Sequence, residues 1–169
     1  MRRLVGAALV AAALLAGCGG GGPSQPKVVS KDLYIAEGDN VCASFADRFR
    51  TAGDNNPHNA HDITQAADTL ANIYGDLEQG LKKIKPPTRA ADRRGATAYI
   101  DAVSRTGGLL AQLRSSAQGL EDATAGKDPA KVTSAGNAVR SALDAFRAAQ
   151  AQANQRALAY GFQLCGNLN

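Results

Sequence analysis

The chain has 169 residues, a formal charge of +4, 44% hydrophobic residues, 5% aromatics and no Trp. That length suits one domain with a real core. Lys/Arg and Asp/Glu are interspersed along it, which argues against the clustered basic face of a nucleic-acid binder, and so few rings argue against a stacking platform for sugars or bases. Abundant Ala with few β-branched runs favours helix over strand.

Met1-Arg2-Arg3 precedes an apolar run from Leu4 to Leu15. A basic start, a short apolar core and small residues after it make a secretory signal. The run is too short for a membrane-spanning helix, which takes about 20 apolar residues. It closes on Leu15-Ala16-Gly17-Cys18. This tetrapeptide resembles the lipobox of bacterial lipoproteins, in which the Cys thiol is acylated and becomes the new N-terminus. The resemblance implies that residues 1–17 are removed as a signal peptide and that Cys18 carries the lipid, palmitate among its acyl chains. It also implies a lipid-anchored protein on the extracytoplasmic face of a bacterial cell membrane. Without Arg2 and Arg3, 17 basic residues face 15 acidic ones, a charge of +2. Gly19 to Gly22 and then Pro23-Ser24-Gln25-Pro26 follow the lipobox. Residues 18–31 therefore read as a flexible Gly/Pro tether with an r.m.s. span of about 20 Å.

Helical periodicity begins near Asp32. Ile35, Gly38, Cys42, Phe45 and Phe49 recur at 3-4-3-4 spacing, so a first helix is expected over 32–52, capped by Ser30 or Asp32. Gly53-Asp54-Asn55-Asn56-Pro57 ends it. A second helix is expected over 59–85, with Asn59 as cap and Asp62 three residues on. Ile63, Ala66, Leu70, Ile73, Leu77 and Ile84 form its stripe, widened by Ala67, Tyr74 and Leu81. Lys82, Lys83 and Lys85 offset the negative helix end, and Pro86-Pro87 stops the helix. A third helix, 89–118, starts near Thr88 and carries Ala96, Tyr99, Val103, Leu110, Leu113, Ala117 and Leu120. Gly107-Gly108 interrupts its middle, and residues 119–126 read as a polar break. Asp128-Pro129 opens a fourth helix, 128–160, as cap and first helical residue. Val132, Ala135, Val139, Leu143, Phe146, Ala153, Ala157 and Tyr160 line it. Gly161 stops it, and Phe162-Gln163-Leu164-Cys165 follows as a short apolar tail.

Four amphipathic helices with short polar links specify an all-α fold, an antiparallel up-down-up-down four-helix bundle over 32–169. With Cys18 assigned to the lipid, Cys42 and Cys165 remain and are expected to pair in an oxidising compartment. The topology supports this, because the start of helix one and the end of helix four share one end of the bundle. The ending Tyr160-Gly161-Phe162-Gln163-Leu164-Cys165-Gly166 also resembles the C-termini of small secreted helical proteins of GC-rich bacteria, families without an assigned activity.

Candidate sites are few. His58 and His61, with Asp54 and Asp62, could offer imidazole and carboxylate ligands to a divalent metal, but a polar loop with a helix cap explains the same residues. A haem bundle is not expected: there is no Cys-x-x-Cys-His, and the one Met is Met1. The three Glu (Glu37, Glu78 and Glu121) lack the Glu-x-x-His spacing of a di-iron site. A nucleophile elbow and a phosphate-binding loop are both missing. Gly107-Gly108 could open room for a small apolar ligand, or could let Phe45, Phe49 or Phe146 approach closely, the preferred reading. Beside it, Thr106 is placed to bond back to a carbonyl. The expected function is a non-enzymatic, membrane-anchored helical bundle that binds a cell-envelope protein or wall polymer, with no cofactor and no nucleic acid. The alternative is a carrier or sensor of a small apolar ligand in the bundle core.

Overall fold

The computed structural model describes residues 28–53 and 57–168. Four helices follow in order: α1 (Lys31–Gly53), α2 (Ala60–Lys83), α3 (Ala90–Ala125) and α4 (Pro129–Tyr160), with a 3-10 turn over Cys165–Asn167. No strand occurs among the described residues. The helices form an antiparallel up-down-up-down bundle. Arg48 of α1 meets Asp76 of α2 at 2.9 Å, and Asp68 of α2 meets Arg114 of α3 at 3.3 Å. Gly95 at the start of α3 lies under the Tyr160 ring at the end of α4. That ring in turn packs edge-on against Tyr34 at the start of α1, with centroids 6.1 Å apart.

The helix ends follow local chemistry. Ser30 Oγ accepts from Leu33 N at 3.1 Å and starts α1. The Asn59 side chain accepts from Asp62 N, and the Asp62 carboxylate accepts from His58 N, both at 2.9 Å. These bonds satisfy backbone donors that a helix start leaves without partners. Asp128 Oδ1 accepts from Ala130 N and Lys131 N, with Pro129 at the first helical position. Gly161 adopts φ 119°, a left-handed conformation open to glycine. Phe162 N then reaches Ala157 O and Gly161 N reaches Leu158 O, closing α4.

Two expectations are corrected. Residues 119–126 are not a break: α3 continues to Ala125. Leu120 and Ala123 prolong its buried stripe, and Thr124 Oγ1 bonds back to Leu120 O, so the apolar face outweighs the exposed Gly119. Thr88 lies two residues before α3. Its hydroxyl accepts from Val29 N at 2.9 Å while its own N–H donates to Val29 O at 3.0 Å. The stripe of α1 is shifted in part: Gly38, Cys42 and Phe49 are buried as expected and Tyr34 and Ala52 join them, while Ile35 and Phe45 are only partly buried.

Two aromatic clusters organise the core. In the middle, Tyr74 sits edge-on between Phe49 (5.0 Å) and Phe146 (6.1 Å). At the end holding the start of α1, Phe162 is fully buried among Tyr34, Tyr99 and Tyr160, with ring centroids 6.0, 5.2 and 5.1 Å away. Gly38 makes this seat possible, because a Cβ there would overlap the Phe162 ring. The tail thus folds back over α1. The Asp39 carboxylate holds it by accepting from Gln163 N (3.0 Å), Leu164 N (2.9 Å) and Cys165 N (3.2 Å). Those three donors head the 3-10 turn, and a carboxylate is the strongest acceptor available to them.

Candidate functional site

Cys42 and Cys165 are disulfide-bonded, with Cα atoms 5.1 Å apart. Both are buried, and the Tyr99 hydroxyl lies 3.9 Å from Cys42 Sγ. The bond therefore staples α1 to the tail beside the Phe162 cluster, and no described residue offers a free thiol. Cys18 lies outside the described residues.

Gly107 and Gly108 behave differently from each other. A Cβ on Gly107 would lie 3.2 Å from Tyr74 Cβ, whereas one on Gly108 would have nothing within 4 Å. Close approach is therefore the role of Gly107, but the partner is Tyr74 rather than Phe45, Phe49 or Phe146. Thr106 is buried, and its hydroxyl donates to Ala102 O at 2.9 Å, as its position suggested.

His58 and His61 are both exposed. The His61 ring has Nδ1 3.8 Å from Glu121 Oε1 and Nε2 3.0 Å from Gln65 Nε2. With Asn59, Leu120, Glu121 and Thr124 it lines an open cleft of about 630 Å³ between the start of α2 and the end of α3. Among the described residues, no group of three or more His, Cys, Asp or Glu is placed to hold a metal ion. Asp54, the fourth member of the motif, lies outside them.

Compared with known protein-family models, characterised proteins and solved structures, the chain matches none.

All four tyrosines are buried. Desolvation pushes the phenols of Tyr34, Tyr74 and Tyr99 up from the usual value near 10, and Tyr160 up to about 12. A side-chain hydrogen bond with Gln150 partly opposes the shift at Tyr74. The Tyr160 hydroxyl is buried with no hydrogen-bond partner, and Lys31 Nζ lies 4.8 Å over its ring. Burial in the packed core thus favours the neutral form of all four phenols.

The remaining feature is the α2–α3 corner. Lys82, Lys83, Lys85, Arg89, Arg93 and Arg94 crowd residues 82–94 with Asp92 as the one acid, and all six cations are exposed. The paired bonds between Val29 and Thr88 bring the start of the described chain against this corner. Sequence spacing explained the three lysines by the helix dipole and overlooked the three arginines. The charge run itself was the available signal. Asp39, which clamps a tail more than 120 residues away, left no signal in the sequence.

Proposed function

We propose that the protein is a lipid-anchored lipoprotein on the extracytoplasmic face of a bacterial membrane. Its helical bundle binds a partner in the cell envelope and catalyses no reaction. The observation that carries this is Leu15-Ala16-Gly17-Cys18 after a basic, apolar leader, ten residues before the first described residue. No described helix is long and apolar enough to cross a membrane, so on this reading attachment falls on Cys18. A bundle stapled by a disulfide between α1 and the tail fits an oxidising compartment. The place where Gly107 could have left a cavity is taken by Tyr74, so packing gives the carrier alternative no support there.

Denatured mass spectrometry of detergent-extracted protein tests the anchor. The expected species begins at Cys18, carries acyl chains and is two hydrogen atoms lighter for one disulfide. Acylation that persists after Cys18→Ser, or an intact N-terminus at Met1, overturns the anchor. Crosslinking in intact cells tests the binding role. Trapping a protein or wall polymer is expected, and recovery of uncrosslinked monomer under several chemistries overturns it.

A further inference from the structure

We infer that the α2–α3 corner is a docking surface for an anionic lipid bilayer, seating the bundle end-on against the membrane. The orientation rests on the anchor reading above; the binding chemistry does not. Residues 82–94 carry six cations and one acid, a charge of +5 in 13 residues. Lys82 is paired with Glu78. Lys83, Lys85, Arg89, Arg93 and Arg94 meet no carboxylate within 4 Å among the described residues. The opposite α3–α4 corner has the other sign: residues 121–131 hold Glu121, Asp122 and Asp128 against Lys127 and Lys131.

Folding accounts for only half of this cluster. Cations at the carboxyl end of α2 offset its dipole. Arg89, Arg93 and Arg94 stand at the amino end of α3, where the dipole disfavours positive charge. Apart from Asp92 in the same turn, which none of them meets within 4 Å, no ion pair among the described residues compensates them, which points to a partner outside the bundle.

Apolar exposure marks the same end. The large exposed hydrophobic side chains among the described residues are Val28 (73%), Leu33 (48%), Leu158 (46%) and Leu164 (49%). Val28 and Leu33 flank the segment bonded to Thr88; Leu158 and Leu164 lie at the end of α4 and in the tail that Asp39 clamps to α1. Cations beside exposed leucines are the combination that engages anionic headgroups and the acyl boundary together. Cys18 is ten residues from Val28, within about 35 Å of extended chain, so an acylated Cys18 would hold this end rather than the far one near the bilayer.

The test uses the full chain with Cys18→Ser, so that no acyl group contributes, sedimented with two kinds of vesicle. One is phosphatidylcholine alone; the other contains one-third phosphatidylglycerol. Each cation near an anionic surface favours binding about five-fold. The expected result is preference for the anionic vesicles, weakened by salt, and lost at least ten-fold in the variant Lys83→Gln, Lys85→Gln, Arg93→Gln, Arg94→Gln. Arg2 and Arg3 are common to both chains, so the difference reports the corner. These exposed substitutions leave the core intact, and matching thermal melts check that. A control variant, Arg105→Gln, Arg140→Gln, Arg147→Gln, is expected to bind as the parent does. Equal binding to both vesicles overturns the inference, as does an equal loss in the control. Tighter capture by soluble poly(glycerol phosphate) than by vesicles of equal phosphate content also overturns it, in favour of a wall polymer. Acyl mass on the unsubstituted protein decides the anchor separately.

Discussion

Replacing Phe162 with Ala removes the ring on which three tyrosines and the tail converge. Phe162 is fully buried, with three aromatic centroids within 6.0 Å. The site cannot collapse easily: Gly38 offers no side chain to move in, and the Cys42–Cys165 bond holds the surrounding backbone. Phe→Ala at such a site costs about 3–5 kcal/mol. Unfolding entropy near the midpoint is about 2.1 cal/mol/K per residue, or about 0.3 kcal/mol/K for a bundle of roughly 140 residues. The expected fall in Tm is therefore about 10–17 °C, read by far-ultraviolet circular dichroism at matched pH and with the disulfide intact. A fall of less than about 3 °C, under 1 kcal/mol on the same scale, would show that the tail is peripheral. It would refute the claim that Phe162 forms the end of the core.

Three further outcomes follow from the same geometry. Reducing Cys42–Cys165 opens a link across a sequence separation of 123, for which chain entropy gives a loss of up to about 5 kcal/mol; an unchanged melt after verified reduction would sink the stapling role. The buried tyrosines stay neutral in the fold past pH 10, whereas unfolded phenols ionise near 10, so this contribution is full below pH 10 and is lost as pH rises toward about 12, the value for Tyr160. Absorbance titration that finds normal phenols in the native protein would contradict their burial. Gly108→Ala is expected to stabilise α3 by about 0.5–1 kcal/mol, since a Cβ there meets nothing. Gly107→Ala is expected to forfeit that gain against Tyr74, and equal Tm shifts for the two would disprove the close packing.

Features written in adjacent residues were legible from the sequence. Asn59, Asp128-Pro129 and Gly161 mark helix ends because caps and left-handed stops satisfy backbone groups within a few positions. Apolar period gave the helices and hence the bundle, and two remaining cysteines allowed one pairing. What adjacency does not encode was missed. The length of α3 past Gly119 depends on packing of the partly buried Leu120 and on burial of Ala123. Thr88 serves Val29 across 59 positions, and Asp39 serves the tail across more than 120. Tyr74 rather than a phenylalanine takes the space at Gly107, a choice set by helix register. The charge surface divides in the same way. Along the chain, Lys82 to Lys85 and Arg89 to Arg94 are legible as a charge run. Only the antiparallel packing brings that corner to the end where Val29 and the tail also lie, because placing a charged face depends on contacts between distant segments.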